Sequence, residues 1–148
     1  MSSSFAGQPF FAETQRLFRY VSDHNFEDLA ALCDDDFGIV DLGPGGESVV
    51  IDTREEWEKW FRTLFAKLEA MDAETDTEIT DYKAMVSGDL GYSVVRLTQR
   101  LNVAEVDSFF YCIVTIIWKN TPDGWKESRW HTSLLSVEGP AASAGTVP

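Results

Sequence analysis

The stretch FFYCIVTIIWKNTPDGWKESRWHTSLL, residues 109–135, decides the fold. Its first arm, from Phe109 to Trp118, is aromatic and β-branched with only Cys112 and Thr115 as mild polar interruptions, the composition of a strand buried on both faces. Lys119-Asn120-Thr121-Pro122-Asp123-Gly124 follows, with proline at the second position of a turn and glycine at its end, where a positive φ is expected. Residues 125–137 form the return arm. Strand parity places Arg129, His131 and Ser133 on one face and Ser128, Trp130 and Thr132 on the other. The reading is a long β-hairpin carrying a polar trio, and the rest of the chain must fit around it.

Upstream of the hairpin the period is also that of strands. Residues 77–86, 90–101 and 106–118 are expected to run as an antiparallel meander, joined by Ser87-Gly88-Asp89 and Asn102-Val103-Ala104-Glu105. Before residue 77 the pattern is helical. Thr53 followed by Glu56 is a capping box, and Trp57, Trp60, Phe61, Leu64, Phe65 and Leu68 then form one wide apolar stripe. Nearer the start, Pro9 opens a helix with Phe10, Thr14, Leu17, Phe18 and Val21 on one face. A short second helix carries Phe26, Leu29, Ala30, Leu32 and Cys33 and is expected to close at Asp34-Asp35-Asp36. Residues 37–42 and 49–51 read as short strands broken by Gly43-Pro44-Gly45-Gly46. Helices segregated from strands in this order argue for an α+β fold with a sheet curling around the helices. One domain, residues 9–138, is expected between a flexible lead, 1–8, and a tail, 139–148, too poor in apolar side chains to order itself.

Composition narrows the partners. Twelve Lys and Arg against 25 Asp and Glu give a formal charge of −13, which repels phosphate backbones and anionic lipid surfaces, so neither nucleic acid nor membrane is an expected partner. Cys33 and Cys112 lie in apolar contexts without Cys-x-x-Cys spacing and read as free buried thiols, suited to a reducing cytoplasm. Two histidines far apart give no metal-ligand spacing, and the acidic residues between 69 and 81 read as a solvated surface. No metal and no cofactor is expected.

Two segments carry a resemblance. Asn25-Phe26-Glu27-Asp28-Leu29-Ala30-Ala31-Leu32-Cys33-Asp34-Asp35-Asp36-Phe37 resembles the turn, second helix and first-strand entry of the cone-shaped superfamily that contains nuclear transport factor 2, the SnoaL-like polyketide cyclases and the ketosteroid isomerases. Asp123-Gly124-Trp125-Lys126-Glu127-Ser128-Arg129-Trp130-His131-Thr132-Ser133 resembles the closing Gly-Trp, His, Ser segment of SnoaL-like members. The resemblance, covering about residues 10–135, implies three helices on a curved, mainly antiparallel sheet. It also implies a conical pocket for a small apolar ligand and a convex sheet face used for homodimerisation, which would cover the second face of residues 109–118. Aligned with the ketosteroid isomerases, Asp41 falls on the general base, Leu17 on a hydrogen-bonding tyrosine, and Val114 or Thr115 near the oxyanion acid.

Two functions follow, one catalytic and one not. In the first the protein is a cofactor-independent isomerase, cyclase or dehydratase acting on an apolar carbonyl-bearing ligand. Asp41 is then the base, raised in pKa by an apolar cone, and His131 or Tyr20 hydrogen-bonds the developing oxyanion. Tyr20, three residues after Leu17, is placed to face the same cavity. Arg129 orients a polar end, with Asp41, another protein carboxylate or a ligand carboxylate as its partner, while Ser133 shares its face and Trp57 contacts the ligand. In the second the same residues form a ligand clamp or a structural network in a binding or association module: Asp41 is a strand-end residue, Arg129 is solvated, and the Trp57 stripe is helix–sheet packing.

Overall fold

The computed structural model describes residues 5–42 and 47–140. Three helices precede most of the strands: α1 (Phe11–Ser22), α2 (Phe26–Ala31), then β1 (Cys33–Leu42), β2 (Ser48–Ile51) and α3 (Arg54–Ala70). The long strands follow as β3 (Glu74–Ser87), β4 (Leu90–Val103), β5 (Val106–Thr121) and β6 (Gly124–Glu138). One six-stranded sheet has the order β2-β1-β6-β5-β4-β3, with β1 and β6 parallel and every other pair antiparallel. This is the α+β cone expected from the segregated pattern.

Local chemistry explains each element. Asn25 caps α2 by accepting from the Asp28 amide, and Thr53 caps α3 by accepting from the Glu56 amide, as the capping-box spacing predicts. The hairpin turns shrink to two residues: Gly88 and Asp89, then Ala104 and Glu105, then Pro122 and Asp123. Ala104 and Glu105 both have positive φ (54° and 67°), the twist that two-residue hairpins favour.

Two expectations are corrected. The acidic triplet does not end α2: Asp34, Asp35 and Asp36 lie within β1, where Asp34 is nearly buried and sits 3.7 Å from Lys119 Nζ. The second half of the expected flexible lead is packed. Phe5 lies against Phe11 and Tyr82, and Gln8 Nε2 donates to the Tyr82 carbonyl. The Gly43-Pro44-Gly45-Gly46 turn, the first four residues of the lead and residues 141–148 of the tail lie outside the described residues.

The sheet has a dry side and a half-wet side. Ser108, Phe110, Cys112, Val114, Ile116 and Trp118 of β5 are buried under the helices, whereas Phe109, Tyr111, Ile113 and Ile117 on the opposite face are half-buried within the monomer. Extra residues at Thr80 in β3 and at Ser128 and Leu135 in β6 interrupt the ladders. Each such bulge adds twist and bend, which lets long strands wrap around helices.

One end of the cone is sealed by aromatic packing. Phe10 stacks on Trp118 at 5.3 Å and meets Trp125 edge-on at 4.9 Å, while Trp118 Nε1 donates to Ser93 Oγ at 3.0 Å. Gly91, paired with Trp118, leaves the notch that Phe10 fills: a Cβ there would lie 2.4 Å from the Phe10 ring and 2.7 Å from the Met85 carbonyl. Gly91→Ala is therefore expected to cost about 1–3 kcal/mol in denaturant unfolding, because ring and strand must both give way. An unchanged midpoint would contradict the notch.

Candidate functional site

The inner face of the sheet and the apolar faces of α1 and α3 enclose a cavity. From α1 come Leu17, Phe18 and Val21, and from α3 Trp57, Trp60, Phe61, Leu64 and Leu68. Apart from the indoles of Trp57 and Trp60, polar groups enter from the strands: Asp41 from β1, Thr75 and Thr77 from β3, Gln99 from β4, and Glu127 and Thr132 from β6, beside the Trp130 indole. No lysine, arginine or histidine lines it among the described residues. Aromatic side chains occupy much of the cone, Trp57 touching Phe26, Phe37 and Phe61 at 5.1–5.6 Å, and the remaining free space is about 80 Å³. That admits a few waters or a compact ligand. Anything larger must displace half-buried Trp60 or Phe61.

The sequence-predicted residues divide between two surfaces. Asp41 lines the cavity, and its charge reaches Cys112, whose thiol is pushed up to about 11 by burial first and by Asp41 second. Trp57 lines it too, almost fully buried. Tyr20 packs at the margin of the core but does not line the cavity, where its neighbours Leu17, Phe18 and Val21 take that place. Arg129, His131 and Ser133 are exposed on the outer face of β6. His131 and Arg129 border a separate outer groove with Gly38, Val40, Asp52 and Thr115. Arg129 is held there by the carbonyl and carboxylate of Asp36 and by the Ser128 carbonyl. The cavity therefore does not contain the polar trio; Asp41 and His131 face opposite sides of the sheet.

The trio faces outward because Arg129, His131 and Ser133 pair with Ile117, Thr115 and Ile113 of the outer row of β5, and an extra residue at Ser128 separates them from Glu127. Ile117 pairs with Arg129 but Trp118 pairs with Glu127, so parity changes between them and two odd-numbered residues point to opposite faces. Glu127 turns inward, and Trp130 and Thr132 do as well.

Glu127 is the site residue that sequence reasoning missed. It is 2% exposed, and its amide donates to the Leu32 carbonyl at 2.8 Å. Burial pushes its carboxyl from about 4.5 up to about 8, the hydrogen bond from Cys33 Sγ at 3.6 Å working weakly the other way. Cys33, itself raised chiefly by burial, also donates to the Leu29 carbonyl. At neutral pH the pair is mostly a neutral acid beside a neutral thiol. The available signal was an ionisable residue set between Trp125 and Trp130 in an otherwise apolar hairpin.

Three buried polar atoms of the cavity residues find no partner among the described residues: Thr75 Oγ1, Trp130 Nε1 and Thr132 Oγ1. Two other acceptors and donors, Thr77 and Gln99, stand near Thr75 on paired positions of β3 and β4. The chemistry available is that of one carboxylate, one neutral carboxyl and several unused hydrogen-bonding groups in an apolar wall. Such a set can bind a mostly apolar molecule by a few polar atoms and move a proton on it.

Comparison with known proteins places this geometry. A candidate dehydratase of the NTF2-like family from Streptomyces avermitilis superposes with a TM-score of 0.71 at 19% identity, over 92% of this chain and 99% of that one. A candidate scytalone dehydratase from Novosphingobium aromaticivorans gives 0.72 at 11% identity, over 93% and 89%. The β subunit of the benzoate 1,2-dioxygenase from Burkholderia mallei gives 0.73 at 13%, over 84% and 87%. At such identities the likeness is one of fold. No curated protein matches in sequence. Residues 12–137, nearly all of the folded chain, match the SnoaL-like domain, and the protein belongs to that family of NTF2-like cone folds.

Proposed function

We propose that the protein binds a neutral, largely apolar, carbonyl-bearing small molecule in the cone, and that Asp41 acts there as the general base of a cofactor-independent isomerase, cyclase or dehydratase. The observation that carries this reading is a carboxylate on the wall of an apolar cavity that no cation lines among the described residues. Asp41 takes a proton from the carbon beside the carbonyl. The C–H electron pair moves into the carbon–carbon bond and the carbonyl π pair onto oxygen, giving an enolate that is reprotonated elsewhere or expels a leaving group. Glu127 supplies a neutral carboxyl at another part of the wall. The candidate dehydratases among the structural relatives support this class of chemistry, but only as relatives in fold.

The narrowness of the cavity favours a second reading, a non-catalytic ligand-binding or association module. Leu17 and Val114, apolar where the ketosteroid isomerases place catalytic groups, lean the same way. In either case we propose a homodimer through the outer sheet face, whose Phe109, Tyr111, Ile113 and Ile117 are half-buried already and gain a full cover from a second copy. Two buried unpaired cysteines suit a reducing compartment such as the cytoplasm.

Catalysis is tested by the exchange of the α-protons of 1-indanone in deuterium oxide, followed by NMR. The protein is expected to accelerate exchange and Asp41→Asn to lower that acceleration by about 10²-fold or more. Binding without acceleration would leave the second reading standing alone. Glu127 makes a separate prediction in pH. Its native pKa lies above the unfolded value, so its contribution to stability is complete below about 4.5 and is lost as pH rises through about 8. Glu127→Gln is expected to flatten that decline in thermal melts between pH 5 and 9; a parallel decline in both proteins would refute the buried neutral acid. Sedimentation is expected to give a dimer that Ile113→Asp converts to a monomer. A monomeric parent would refute the outer-face interface.

A further inference from the structure

Three side chains define one corner of the cavity. Val40 pairs with His131 in the parallel β1–β6 ladder, so Asp41 and Thr132, one residue on in each strand, are neighbours on the inner face. Trp130, two residues before Thr132, turns to the same side and holds its ring edge-on to Phe18 at 5.8 Å. Thr132 is 7% exposed. Its hydroxyl and the Trp130 indole N–H are both buried, and neither has a hydrogen-bond partner among the described residues.

A buried polar group without a partner is destabilising, by about 1–3 kcal/mol each. Two of them on neighbouring inward positions of one strand next to a carboxylate, on a largely apolar wall, are not needed for packing, since apolar side chains can fill such space without leaving a polar atom unpaired. The indole nitrogen only donates, and the threonine hydroxyl donates or accepts. With the threonine hydroxyl donating, the two match one oxygen atom that accepts both hydrogen bonds. Glu127 is not an equivalent donor for that atom, since it lies two rungs of the ladder back from Trp130 and four from Thr132, roughly 7–13 Å along β6 at ~3.3 Å per residue.

We infer that Trp130 Nε1 and Thr132 Oγ1 form a two-donor clamp for the carbonyl oxygen of the ligand, which sets the carbon beside that carbonyl against Asp41. The inference rests on the cavity being the binding site and on the carbonyl chemistry proposed above, and names the ligand's polar atom: the oxygen of a ketone, aldehyde or ester, an acceptor for both groups, rather than an amine or a carboxylate. The same two donors gain strength as negative charge develops on that oxygen when Asp41 removes the adjacent proton, so the clamp serves both binding and proton transfer. Thr75, the third group without a partner, belongs to a different corner with Thr77 and Gln99 and takes no part in it.

The test compares 1-indanone with indane, its hydrocarbon counterpart without the oxygen. Binding is measured by calorimetry, and the indole N–H signals of the protein's five tryptophans by ¹⁵N-correlated NMR, the Trp130 signal being identified by its loss in Trp130→Phe. The ketone is expected to bind about five- to tenfold more tightly than indane and to move the Trp130 signal downfield, which indane does not do. Thr132→Val is expected to abolish the preference for the ketone without lowering the melting temperature, because the hydroxyl it removes has no partner within the described protein. Equal binding of the two ligands overturns the clamp while leaving the cavity as the site. Binding of neither overturns the cavity reading and the clamp together. A Thr132→Val protein that melts lower and loses both ligands alike assigns the hydroxyl a structural role and also overturns the clamp.

Discussion

The inner row of β5 carries the rest of this molecule. Phe110, Cys112, Val114, Ile116 and Trp118 lie beneath the helices on a strand hydrogen-bonded along its length to β4 on one side and β6 on the other. A strand so placed can bury its inner side chains only if its neighbours bend toward the helices, because a flat sheet would leave its flanks in water. The bulges in β3 and β6 provide that bend, and the Phe10–Trp118–Trp125 cluster pins the start of α1 to the end of the strand. The cavity is the space that remains when three helices close over such a curve.

The same bends decide which chemistry lies inside. Ser128 is a single extra residue, yet it separates the face of Glu127 from the face of Arg129. Without it, strict alternation would have put Glu127, Arg129, His131 and Ser133 together. With it, Arg129 is tied to Asp36 on the outer surface while a carboxyl is enclosed in the cone. A bulge here is thus a device for choosing the polarity of a pocket as well as for bending a strand.

Much of the fold could be read from the chain because its signals are local. The Thr53–Glu56 cap, the aromatic stripe of α3 and the continuous apolarity of residues 109–118 each report on their own element, and their order specified the cone. The errors arose where one strand's meaning depends on another. Asp34-Asp35-Asp36 read as a helix end because acidic residues are poor strand formers; in the fold Asp34 is placed by Lys119 and Ser128, more than eighty residues away. Alternation holds for Arg129, His131 and Ser133 but breaks at Ser128, because an extra residue is defined only against the partner strand, and one sequence does not contain that pairing. Asp41 was singled out through the resemblance to the ketosteroid isomerases, and the structure places it on the cavity wall, in alternation with Phe37 and Ile39 along β1.

The charge distribution then limits what the cone can hold. The chain as a whole is strongly acidic, and the cavity itself has Asp41 and Glu127 but no cationic side chain among the described residues. An anionic ligand entering it would lose its hydration without gaining an opposite charge, a cost that a few hydroxyls and an indole do not offset. Arg129, the residue whose chemistry pointed to a ligand carboxylate, is on the other side of the sheet and already paired. A neutral carboxyl at Glu127 is consistent with the same field, since its burial favours the protonated form. A molecule held in such a space would have to be uncharged and mostly apolar, with few polar atoms to desolvate. That requirement follows from desolvation alone and would hold whether such a molecule were transformed or only bound.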